Sequence, residues 1–147
     1  MIKENHLGTD EKVMLAIVRT AELFKRRSSS IFAIFGLSFS QYNTLRVLEA
    51  EESGEQSITE ISRRLLISSP NMSGIAKRLE KGGFAVRGRD SADERKTMLR
   101  LTPKGRRVLA EIVGRQEENI REFLAGCSAE GRGEFLAVLK GMLKLGG

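Results

Sequence analysis

One stretch changes the rhythm of the chain. Elsewhere apolar residues recur at three- and four-residue spacing, the mark of helices with one buried face. After Gly82 and Gly83 the pattern shifts. Phe84 to Arg87 forms a compact run, a charged loop follows, and then Thr97, Leu99 and Leu101 alternate with Lys96, Met98 and Arg100. That alternation is the period of a half-buried strand, and two short strands around a polar loop make a hairpin. The expected fold class is therefore mainly α with a small β-hairpin. The stretch that holds the loop is unusual: Arg89 to Thr102 reads RDSADERKTMLRLT, with seven of fourteen residues charged and both signs mixed. Either it is a salt-bridged, solvated tip, or it reaches for a polyanion.

The helices around this hairpin are marked by their ends. Asp10 to about Phe35 carries Val13, Ile17, Ala21, Phe24, Ile31, Phe32 and Phe35 at helical spacing, and Gly36 ends it. Ser38 with Gln41 three residues on has capping-box spacing and opens a second helix, with Leu45 and Leu48 on its buried face. Ser57 with Glu60 repeats the spacing before a short helix through Leu65 or Leu66. A tight connection leads to a fourth helix, capped by Ser68 or Ser69 and running to Lys81. Gly82 or Gly83 then supplies the positive φ of a helix C-cap. Thr102 before Pro103 is an N-cap with proline at the first helical position. The fifth helix runs to about Leu124, burying Val108, Ile112, Val113, Ile120 and Phe123, with Gly126 as its breaker. Ser128 caps a sixth, whose apolar set is Phe135, Leu136, Val138, Leu139, Met142 and Leu143.

The inventory of reactive side chains is thin. Cys127 is the one cysteine and His6 the one histidine among 147 residues. An intrachain disulfide, a thiolate metal cluster and a histidine-dependent catalytic triad all need partners this chain lacks. No catalytic residue, metal or cofactor is expected. The chain has the length of one domain, 1–147. No apolar run approaches the roughly 20 residues that cross a bilayer. The N-terminal MIKENHLGTDEK lacks a signal peptide's apolar stretch, so a cytoplasmic protein is expected.

Charge is concentrated rather than spread. The chain carries a net +6, and the segment from Ser57 to Thr102 holds ten Lys or Arg against five acids, a net +5. A basic segment flanked by near-neutral helices suggests a nucleic-acid footprint. A membrane surface would call for exposed apolar anchors beside the charge, and none is present. Helix, short helix, tight turn, helix and hairpin is the order of a winged helix-turn-helix, here spanning 37–102. The helices at 10–36 and 103–147 carry more apolar surface than that small core requires. They either bury it against a second copy, giving a homodimer, or form a self-contained cap.

The run LSFSQYNTLRVL, followed by ITEISRRLLISSPNMSGIAKRLEKGGFAVRGRDSADERKTMLRLTPKGR, resembles the MarR family of bacterial transcriptional regulators. The most specific piece is the wing, which in that family reads roughly D-x-x-D-x-R and then L-T-x-x-G. Asp90, Asp93, Arg95, Leu101, Thr102 and Gly105 occupy those places. The resemblance implies a homodimer on double-stranded DNA, with a pseudo-palindromic site and a repressor's role. It also implies that Arg95 enters the minor groove while Asp93 holds it, with Arg89 and Lys96 facing phosphate or groove.

The fourth helix is then the recognition helix. Met72, Ile75, Ala76 and Leu79 fit its inner side, and Ser69, Pro70, Asn71, Ser73, Gly74 and Lys77 its exposed part. Asn71 can pair bidentately with adenine. Ser69 and Ser73 either contact DNA or serve as capping and spacing residues. The family more often has a polar residue where Gly74 stands, and Pro70 has no side-chain donor, so shape readout through the wing would carry more of the recognition. Arg63, Arg64 and Arg78, with Lys81 and Arg87, are solvated singly or track phosphates as a set. The resemblance also implies a small aromatic or lipophilic effector near Phe32, Phe35, Phe39, Tyr42 and Asn43, a cluster that equally suits plain core packing. Cys127, at the junction of the last two helices, is either a small junction residue or a redox switch. The rival function is a winged-helix module whose basic face serves a protein or RNA partner.

Overall fold

A computed structural model describes residues 6–146. Residues 1–5 of the polar N-terminal stretch, and residue 147, lie outside the described residues. Six helices and a small sheet follow in order: α1 (Thr9–Ala33), α2 (Phe39–Ala50), β1 (Glu55–Ser57), α3 (Ile58–Leu65), α4 (Ser69–Lys81), β2 (Ala85–Arg89), β3 (Thr97–Leu101), α5 (Pro103–Phe123) and α6 (Ala129–Leu143). A 3₁₀ turn, Lys144–Gly146, closes the described chain. No described helix is long and apolar enough to cross a membrane.

The helix starts follow their caps. Ser38 accepts from the Gln41 amide while the Gln41 side chain accepts from the Ser38 amide, a complete capping box. Ser57 makes only half of one. Its hydroxyl accepts from the Glu60 amide, but its own amide donates to Gln56 Oε1, because the Glu60 carboxylate is taken by two arginines. Ser68, not Ser69, caps α4. The first helix stops at Ala33, two residues before Phe35. The chain then turns through Gly36, whose φ of +77° is cheap for glycine.

The sheet is antiparallel in the order β1-β3-β2. Ala85 pairs with Leu101 and Arg89 with Thr97 across the hairpin, and Glu55 pairs with Arg100 on the other edge of β3. The strand β1 is an addition to the expected hairpin. Three residues show no alternation of their own, and pairing with β3 is what makes them a strand.

The core lies where α1, α2, α3, α4, β3 and α5 meet. Phe32, Leu45, Leu48, Ile61, Met72, Leu79, Leu99 and Ile112 are fully buried. Each such aliphatic or aromatic side chain contributes about 1.5–3 kcal/mol by leaving water. The inner face of α5 differs from the expected one. Val108 and Ile112 are buried, but Val113 and Ile120 face outward, and Leu109, Gln116 and Asn119 take the interior. The two amides are satisfied there: Gln116 Nε2 and Asn119 Nδ2 donate to the buried Ser28 Oγ of α1 at 3.1 and 3.2 Å. That partner is 88 residues away in sequence, so no local pattern marks these polar residues as interior. No residue of α6 is buried.

Candidate nucleic-acid interface

The helix α4, expected to be the recognition helix, is set by its neighbours on both sides. α3 ends at Leu66, the one non-glycine residue with positive φ (+53°) among the described residues, and Ile67 donates back to the Ser62 carbonyl. This tight reversal delivers Ser68, whose Oγ accepts the Asn71 amide and starts α4. Met72, Ile75, Ala76 and Leu79 face the core as expected. Ser69, Pro70, Asn71, Ser73 and Lys77 are exposed. Arg78 folds back toward the start of the helix, its guanidinium lying over Gly74, with Nη1 3.5 Å from where a Cβ would stand.

The wing tip is folded by its own charges. Asp90 Oδ1 accepts the Ala92 amide at 3.0 Å, and the Lys96 amide donates to the Asp93 carbonyl at 3.0 Å. Asp93 holds Arg95 three ways: Oδ1 accepts from the Arg95 amide and from Nε, both at 3.1 Å, and Oδ2 accepts from Nη2 at 3.3 Å. These bonds lower the Asp93 pKa, the Arg95 guanidinium first and its amide second. The Arg95 side chain is nevertheless 92% exposed. Arg89 Nη1 donates to the Glu94 carbonyl at 3.1 Å, and both Arg89 and Lys96 are exposed. Asp93 therefore orients Arg95 without burying it.

The base of the wing is clamped to α4, to β1 and to the start of α5. Glu80, in the last turn of α4, accepts from the Arg87 amide, Nε and Nη2 at 3.2–3.4 Å. Glu55 of β1 accepts from Arg100 Nε and Nη2. Thr102 Oγ1 donates to the Gly83 carbonyl at 2.7 Å and accepts the Gly105 amide at 3.1 Å, so one hydroxyl ties the turn before the wing to the start of α5. Gly105 must be small: a Cβ there would stand 2.3 Å from the Phe84 carbonyl oxygen and 2.6 Å from Leu101 Cδ1. Nothing in the sequence marks Glu80 or Glu55 as site residues, because their partners lie across a turn or 45 residues away.

Arg63 and Arg64, expected at phosphates, are held by one carboxylate. Glu60 accepts from both, and Arg64 also reaches Glu51. These hydrogen bonds pull the Glu60 pKa down to about 2. Both guanidiniums remain on the surface, with donors left over.

Of the five residues expected to line an effector pocket, Phe39 and Tyr42 both pack on Phe32. Phe32 and Tyr42 stack with centroids 3.9 Å apart, and Phe39 lies 6.3 Å from Phe32. Asn43 Nδ2 donates to the Phe39 carbonyl within its own helix. Phe35 and Phe39 are half-buried against the core cluster. Farther from the wing, α1, α5 and α6 enclose an apolar groove of about 680 Å³, lined by Ile17, Phe24, Phe123, Phe135, Val138 and Met142 among others. Cys127 is half-buried in the connection between α5 and α6.

A braced helix whose first turn is exposed and polar, flanked by a basic hairpin, defines the winged helix-turn-helix class. A family model described as MarR family matches residues 35–96. The chain is similar to the HTH-type transcriptional regulator TtmR of Methylorubrum extorquens, 38% identical over 104 residues, covering 71% of this chain and 52% of that one. It thus spans about half the length of TtmR. It is also similar to the uncharacterized HTH-type transcriptional regulator YkoM of Bacillus subtilis, 30% identical over 105 residues, covering 71% and 67% of the two chains. Sco3205, a MarR family transcriptional regulator from Streptomyces coelicolor solved in complex with DNA, shares the fold. Its TM-score is 0.83 at 20% identity, covering 95% of this chain and 89% of that one. The chain belongs to the MarR family of transcriptional regulators.

Proposed function

We propose that this protein is a homodimeric repressor that binds a pseudo-palindromic site in double-stranded DNA. The segment 37–102 is the DNA-binding lobe, and 10–36 with 103–147 form the dimer. Each copy places the first turns of α4 in the major groove, where Ser69, Asn71, Ser73 and Lys77 meet bases and phosphates. Arg95 enters the adjacent minor groove, and Arg89 and Lys96 flank it. Arg63 and Arg64 follow the phosphate backbone. The observation that carries this reading is the wing: its carboxylate holds Arg95 from one side while the side chain stays 92% exposed. A guanidinium oriented but unburied suits a narrow, electronegative groove.

The dimer is supported by the apolar groove between α1, α5 and α6, and by an α6 with no buried residue. A second copy laid there covers surface that a monomer leaves in water, and it sets two recognition helices about one DNA turn, ~34–36 Å, apart. A small aromatic or lipophilic effector would enter beside Phe32, Phe35, Phe39, Tyr42 and Asn43, of which Phe35, Phe39 and Asn43 are half-buried. It would act by binding more tightly to a dimer whose helices are wrongly spaced, and DNA would weaken effector binding by the same factor.

Fluorescence anisotropy with duplex DNA across salt tests the DNA-binding claim. Affinity should fall with a log–log slope near −0.9 for each phosphate neutralised. Light scattering after size exclusion should give twice the chain mass. A monomer, or binding without salt dependence, contradicts the proposal.

A further inference from the structure

The middle of the exposed face of α4 is bare. With Met72, Ile75, Ala76 and Leu79 turned inward, the 100° step per residue puts Pro70, Gly74, Lys77 and Lys81 opposite them. At the places nearest the helix start, where a recognition helix meets base edges, stand a proline without a donor and a glycine without a side chain. Arg78 covers that gap. Helical side chains lean toward the N-terminus, over the preceding turn. Here the guanidinium lies on Gly74, with Nη1, Nη2 and Cζ at 3.5, 3.6 and 3.8 Å from an ideal Cβ. A residue of the C-terminal half of the helix thus puts its charged head over the N-terminal half, and the absence of a side chain at 74 is what leaves the room.

The donors of Arg78 are also unclaimed. Among the described residues between Ser57 and Thr102, Arg63 and Arg64 bond Glu60, Arg87 bonds Glu80, Arg89 bonds the Glu94 carbonyl, Arg95 bonds Asp93 and Arg100 bonds Glu55. Arg78 alone of these arginines has no acceptor within the described chain. We propose that Arg78 is a specificity residue: from its seat on Gly74 it reads guanine in the major groove through the paired O6 and N7 acceptors, in place of the phosphate contact expected of it. The assignment rests on α4 being the recognition helix. The chemistry follows from the fork of the guanidinium, which matches two acceptors on guanine and no comparable pair on another base.

The test is selection of bound sequences from a random duplex pool, run on the wild type and on Arg78→Ala, Arg78→Lys and Gly74→Leu. The wild type should enrich a guanine at one fixed place in each half-site. Arg78→Ala and Arg78→Lys should lose the preference at that place alone, with affinity for the selected site falling about ten- to a hundredfold. Gly74→Leu fills the seat of the guanidinium and should lose the same preference. It should melt no lower than the wild type, because leucine is the better helix former. Two results overturn the inference while sparing the recognition helix. One is an unchanged motif in Arg78→Lys. The other is an Arg78→Ala loss equal for all sequences, with the salt slope reduced by about 0.9, which is the signature of a phosphate contact. A wild-type protein that enriches no sequence overturns the inference and the reading of α4 together.

Discussion

Glu80 at the end of α4 grips Arg87 of β2 by its backbone amide and its guanidinium at once. The helix α4 and the strand β2 are therefore joined by side chain as well as by the Gly82–Gly83 turn. β2 is an edge strand, and its Arg87 amide is satisfied by a carboxylate rather than left for another chain to pair with.

Replacing Glu80 with alanine should leave the fold intact, since exposed ion pairs add little to stability. The Arg87 amide should exchange faster with solvent. Affinity for DNA should drop about two- to tenfold, the size of coupling usual among residues sharing a network. In an Arg95→Ala background the same substitution should cost much less, because the clamp acts by aiming the wing. Equal losses in both backgrounds would mean that Glu80 does not act through Arg95.

The Glu60 network fixes a pH dependence. Hydrogen bonds from Arg63 and Arg64 hold the Glu60 pKa at about 2, below the ordinary carboxylate range. Between that value and the unfolded one the unfolded chain binds more protons, so stability rises with pH there. The contribution is complete above the unfolded value and fades as the pH falls toward 2. Asp93 is lowered in the same direction by Arg95. Carboxyl NMR titration should show both groups ionised throughout the neutral range, with the Glu60 midpoint near 2. A Glu60 midpoint above 4 would mean that the two arginines do not hold it in solution.

The turn into α5 leaves no room at Gly105. Gly105→Ala forces the Phe84 carbonyl or the helix to move and should destabilise by about 1–3 kcal/mol. Thr102→Val removes a cap and the bond to Gly83, and should cost about 1–2 kcal/mol. Urea unfolding measures both. Both residues that end the L-T-x-x-G run thus have a structural task in this chain: Thr102 makes both bonds, and Gly105 permits the close approach.

What the sequence disclosed and what it hid divide by distance along the chain. Ser38 with Gln41, Ser57 with Glu60 and Thr102 with Pro103 mark helix starts because capping is settled within four residues. The hairpin was legible from alternation in β3. The strand β1 was not, since Glu55–Ser57 becomes a strand by pairing with residues more than 40 positions on. Val113 and Ile120 read as interior and are not. Gln116 and Asn119, which no local pattern marks as interior, are buried, because Ser28 on another helix makes burial of their amides tolerable. The wing residues could be named from their motif, but Glu80 on Arg87, and Arg78 on Gly74, are facts of three-dimensional placement.

The polar knot between α1 and α5 gives a further check. Ser28→Ala removes the acceptor shared by Gln116 and Asn119 and leaves buried amide donors without it. The cost should be about 1–3 kcal/mol by urea unfolding. A neutral result would show that the two amides find other partners.

Arg95, steadied by Asp93, is the residue proposed to carry the wing onto DNA. The direct measurement is anisotropy of a fluorescent duplex, bearing the selected site, titrated with wild-type and Arg95→Ala protein at several salt concentrations. A loss of at least about tenfold, with a shallower salt slope and an unchanged dimer mass, is the expected outcome. Equal affinity and equal slope for the two proteins would contradict it.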